Sequence, residues 1–77
     1  MKPRISLDLA PLHQPVTLLS ADVESAVARR LTALGLRRGV QMSLVQRLSG
    51  GGRVVSVAGA RVALARQVLA AMTVEAA

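Results

Sequence analysis

Gly35 is the residue that most narrows what this chain can become. It directly follows Val23, Val27, Leu31 and Leu34, whose steps of four, four and three line up along one face of an α-helix. The spacing predicts a helix over residues 22–34, with Glu24, Ser25, Arg29 and Arg30 facing outward and the four apolar residues facing a core. Ser20 and Asp22 suit its opening, because their side-chain oxygens accept from free backbone N–H groups. A glycine just past the last apolar position takes the left-handed conformation without steric cost, and the Schellman arrangement then returns the next residue, Leu36, to meet Leu31. The helix is therefore short, and the rest of the fold must come from elsewhere.

The flanking segments read as strands. Val16–Ser20 is apolar and β-branched, and residues 40–48 alternate Val40, Met42 and Leu44 with Gln41, Ser43 and Val45 after a turn at Gly39. Ser49-Gly50-Gly51-Gly52 connects to Arg53–Ala58, a returning strand, and a reversal at Gly59-Ala60 leads to a third strand, Arg61–Leu64. Leu64, Val68 and Met72, with Leu69 beside them, keep helical spacing through an alanine-rich stretch, and Thr73-Val74 can pair as a final strand. Residues 1–15 hold all three prolines and the only histidine, which predicts an extended lead-in where Ile5, Leu7 and Leu9 alternate as a short edge strand. About five short strands with one helix between the first two make a small, closed, mostly β barrel with a short C-terminal helix. Its domain spans residues 16–74, followed by a tail at 75–77.

With 77 residues the chain holds one domain with a modest stability margin. Having no cysteine, it cannot be stapled by disulfides or carry a thiolate metal site. No apolar run approaches the roughly 18 residues that cross a bilayer, and the N-terminal segment is too interrupted for a secretion signal, so a cytoplasmic location is expected. Ten Lys and Arg against four Asp and Glu give a net charge of +6, which favours anionic partners.

Catalysis finds little to work with. One histidine and four scattered acids offer neither paired carboxylates nor a base beside a nucleophile, so no enzyme is expected. His13 lacks the companions a zinc or iron site needs and reads as a surface residue, while Met42 and Met72 occupy apolar periodic positions and read as core. No metal or other cofactor is expected. The glycines of "SGGGR" lack the following Lys-Ser or Lys-Thr of a phosphate loop and are explained by a hairpin. Arg29, Arg30, Arg37, Arg38, Arg47 and Arg53 could gather near one end of the barrel as a partner-binding patch, although a solvated face is the commoner fate of such residues. Without Phe, Tyr or Trp there is no stacking platform for nucleic acid, which would have to be held by charge alone. Val54-Val55-Ser56-Val57 is a possible exposed edge through which copies could associate.

The run Arg30-Leu31-x-x-Leu34-Gly35-Leu36-x-x-Gly39, followed by a strand, a hairpin and "VAGARVALARQVLAAMTV", resembles the FeoA family of small ferrous iron transport proteins over about residues 16–74. Arg38 stands where family members usually have proline, and "LSGGGR" replaces an Ala-Pro and Asp-Pro pattern in the hairpin. The resemblance implies an SH3-like β-barrel serving as a cytoplasmic accessory to FeoB, the membrane ferrous iron transporter with a cytosolic G-protein domain. It implies neither an enzyme nor iron binding by this chain. A basic barrel binding nucleic acid electrostatically is the alternative. The fold is also similar to the C-terminal module of iron-dependent repressors, whose DNA-binding domain and metal ligands would not fit in this length.

Overall fold

Six strands and two helices, in a computed structural model describing residues 2–77, follow one another as β1 (Arg4–Ser6), β2 (Val16–Ala21), α1 (Ser25–Ala33), β3 (Gln41–Arg47), β4 (Arg53–Val57), β5 (Ala60–Leu64), α2 (Arg66–Ala70) and β6 (Met72–Ala76). Single 3₁₀ turns lie at Leu7–Leu9 and Ser49–Gly51. The strands form one antiparallel array in the order β1-β6-β2-β3-β4-β5.

Curvature wraps this array around a core without closing it, since β1 and β5 do not pair with each other. β3 pairs with β2 through Gln41 and Met42, then with β4 from Ser43 onward, so it passes from one half of the sheet to the other. Register shifts after Leu18 in β2 and after Leu44 in β3 insert one residue each, Leu19 and Val45, and bulges of this kind bend a strand and increase its twist. Leu7, Leu44, Leu69, Met72 and Val74 are fully enclosed, and no charged or polar residue is buried among the described residues. Met42 and Met72 both fill the core, as their periodic positions predict, and His13 is exposed.

Several expected boundaries move. The helix begins at Ser25, not at residue 22, because β2 pairs with β6 as far as Ala21 and the Asp22 N–H donates to the Ala71 carbonyl at 2.8 Å. Glu24 holds the N-cap position without a side-chain bond, so neither Ser20 nor Asp22 caps the helix. At the other end of the chain, α2 keeps only Arg66–Ala70, because Leu64 and Met72 belong to the strands on either side. The expected edge strand near the N-terminus stops at Ser6. The 3₁₀ turn then sends Leu7 into the core and leaves Leu9 69% exposed. Counting β1, the strands number six, and the longer helix lies between β2 and β3.

β4 is not an edge. It lies between β3 and β5, pairing with β5 along its whole length from Arg53–Leu64 to Val57–Ala60, so Val54–Val57 offers no open edge for association of copies. The open edges of the array are β1 and β5. No helix among the described residues is long and apolar enough to cross a membrane.

Candidate partner-docking surface

The end of α1 is built as the sequence predicts. Gly35 takes φ +92°, the Leu36 N–H donates to the Leu31 carbonyl at 2.8 Å, and the Gly35 N–H donates to the Thr32 carbonyl at 3.0 Å. This pair of bonds is the Schellman arrangement, and Leu31 and Leu36 are both buried. Val23 precedes α1 rather than lying on it, although it packs partly buried against the core as Val27 does; of the four apolar residues expected to face the core only Leu34 does not, being 42% exposed. The helix stops at this residue, and the core position beyond Leu31 is taken by Leu36, which the glycine swings back under it.

The chain then turns at once. The Val40 N–H donates to the Arg37 carbonyl at 3.1 Å, Gly39 has φ +89°, and the Gly39 N–H donates to the Leu18 carbonyl of β2 at 2.8 Å. Arg37 and Arg38 therefore project from a turn fastened to the sheet. Arg29 and Arg30 are exposed on the last turns of α1, where the carbonyl end of the helix favours positive charge. Four exposed arginines thus share one corner with Leu34, an apolar side chain in a basic frame.

Arg47 and Arg53 are elsewhere. They face each other across β3 and β4 at the far end of β3 from the turn. The six steps from Gln41 to Arg47, at about 3.3 Å each, separate the two groups by roughly 20 Å along the strand. Arg47 is exposed, whereas Arg53 is half buried and its Nη1 donates to the carbonyls of Gly51 (2.8 Å) and Gly52 (3.0 Å), clamping the glycine loop. The structure therefore brings four of the six arginines together and sets the other two apart.

Helical periodicity hides the surface position of Leu34, and no sequence motif marks the cleft of about 280 Å³ between the glycine loop, the end of β5 and the start of α2. The signal for Leu34 was available, since a Schellman assignment already commits Leu36 to the core. Nothing in the linear pattern placed Arg66 against the Ser49–Gly52 loop. Among the described residues no three His, Asp or Glu side chains gather where they could hold a metal ion.

A six-stranded antiparallel array curled around an aliphatic core, with a helix between its second and third strands, is the architecture of a small SH3-like protein. The chain belongs to the FeoA family, whose domain model matches residues 5–76. Among solved structures it is similar to the FeoA protein of Chlorobium tepidum, with a TM-score of 0.87 and 26% identity over 94% of this chain and 70% of that one. It is also similar to the zinc-complexed FeoA of Stenotrophomonas maltophilia, with a TM-score of 0.73 and 30% identity over 96% of this chain and 88% of that one. That protein is described as a prokaryotic SH3-domain protein and a candidate activating factor of ferrous iron transport. A manganese-dependent transcriptional repressor shares the fold at 18% identity and a TM-score of 0.87, the whole of this chain matching 44% of that one. No curated protein sequence matches the chain.

Proposed function

We propose that this protein is a non-catalytic accessory of bacterial ferrous iron uptake, acting in the cytoplasm by docking on the cytosolic part of a FeoB-type transporter. The observation that carries the reading is the corner at the end of α1, where exposed Leu34 stands among Arg29, Arg30, Arg37 and Arg38. An apolar anchor within a charged rim suits recognition of an acidic protein surface, since the rim steers encounter and the anchor slows release. Membership of the FeoA family and the description of the S. maltophilia relative support iron uptake as the setting. The backbone bonds at Gly35 and Gly39 support a docking role as well, because they hold the corner rigid before any partner arrives.

The test is association kinetics with the isolated cytosolic part of the transporter. Charge reversal at Arg37 and Arg38 together should slow association by about tenfold and flatten its dependence on salt, with melting behaviour preserved. Unchanged kinetics in that variant would remove the corner from the interface. Retention of RNA or DNA that saturates at physiological salt would instead favour the nucleic-acid role, since purely electrostatic binding fades as salt rises.

A further inference from the structure

We propose that the open edge of β5, together with the cleft at its end, accepts an extended acidic segment of a partner protein as a seventh strand. This surface is distinct from the α1 corner and does not depend on which protein that corner meets.

The register identifies the free backbone groups. Ala58 (φ +50°) and Gly59 (φ +79°) form a two-residue turn joining β4 to β5, so the closing pair Val57–Ala60 exchanges hydrogen bonds. Pairs then alternate along the hairpin, which makes Ser56–Arg61 and Val54–Ala63 the unbonded ones. The N–H and C=O groups of Arg61 and Ala63 accordingly point away from β4, and no strand among the described residues lies on that side. Both residues are exposed.

Where β5 ends, the edge runs into the cleft lined by Leu48, Leu64, Ala65 and Arg66. The cleft is a built feature. A Cβ on Gly51 would fall 2.7 Å from Arg66 Cδ, so the glycine is what lets the arginine stem lie against the loop. Gly52 has a similar role on the other wall, where a Cβ would come within 3.0 Å of the Leu64 carbonyl oxygen. Arg53 closes the loop from below through its bonds to Gly51 and Gly52.

Charge chooses the occupant. Arg61 projects from the edge strand itself and Arg66 stands at the cleft, so a strand laid along β5 would meet positive charge at both ends. Two copies of this chain, each with a net charge of +6, would bring their Arg61 and Arg66 side chains together, and charged residues on an edge discourage such pairing. An acidic strand gains what a second copy loses. Backbone bonds would supply affinity, and an apolar residue at the cleft would supply specificity.

The probe is an acetylated hexapeptide alternating glutamate and valine and ending in leucine, titrated into the intact protein while amide exchange is followed by NMR. Exchange at Arg61 and Ala63 should slow by at least about tenfold, and the combined Arg61→Glu and Arg66→Glu substitutions should weaken binding by about tenfold. Ala63→Pro removes one outward donor without touching the β4 ladder and should abolish the protection; where that variant melts early, the charge variant decides. The Arg37→Glu and Arg38→Glu protein should bind the peptide as the parent does, which separates this site from the corner. Overturning results are an absence of β5 protection at millimolar peptide, equal binding of a lysine-for-glutamate peptide, loss of binding in the corner variant, or sedimentation showing copies paired through β5.

Discussion

Leu31, Leu34 and Leu36 lie within six residues of each other and are 3%, 42% and 2% exposed, a difference set by the left-handed torsion at Gly35. Leu31→Ala should cost about 2–5 kcal/mol by urea denaturation, comparable with the whole stability of so small a domain. Leu34→Ala, by contrast, should shift stability by no more than about 0.5 kcal/mol while weakening partner association. Nothing lies within 4 Å of a Cβ built on Gly35, so Gly35→Ala pays only for its backbone conformation, about 1–2 kcal/mol in the same assay. A cost as large as that of Leu31→Ala would mean that the glycine is hemmed in by neighbours. The helix stop was legible in the sequence because glycine at a helix end has few other physical reasons. The exposure of Leu34 was hidden, since helical periodicity continues through it while the helix does not.

The hairpin of β4 and β5 shows how much an element owes to its turn. Ala58 occupies a left-handed position that alanine adopts at a cost and that asparagine or glycine tolerates well. Ala58→Asn should therefore raise stability by about 0.5–1 kcal/mol, read as a higher urea midpoint with an unchanged slope. The β meander itself was legible from alternation and from Gly59. Its edge was not: alternation marks a strand, but which strand is left unpaired depends on the order of the sheet, and that order is fixed by distant partners. The same limit explains α2. Leu64, Val68 and Met72 satisfy a helical period, yet Leu64 pairs with Arg53 and Met72 with Ala21, so pairing overrides the local spacing at both ends.

At the scale of the molecule, charge and topology act separately. The two arginine groups at opposite ends of β3 explain why one contiguous basic patch does not form, although composition and clustering along the chain suggested it. Met72 is wholly buried at the start of β6, and β6 lies between β1 and β2. Met72→Ala should lower stability by about 2–5 kcal/mol, and amides in β1, β2 and β4 should lose protection together in native-state hydrogen exchange. Loss confined to β1, β2 and β6, with β4 still protected, would show that the two halves of the sheet open independently.

The central place of β6 also sets an order of events at the ribosome. β1 and β2 flank it, so Ile5 has no strand partner until Val74 is made, and β2, which meets β3 only at Val16 and Thr17, lacks the neighbour of its remaining length, Leu18 to Ala21, until β6 arrives. A nascent chain halted before residue 72 holds the β3-β4-β5 meander but not the strand that joins its first segments. Assembly of the sheet is thus postponed until Met72–Ala76 have emerged, and contacts of such long range are the slow ones to form.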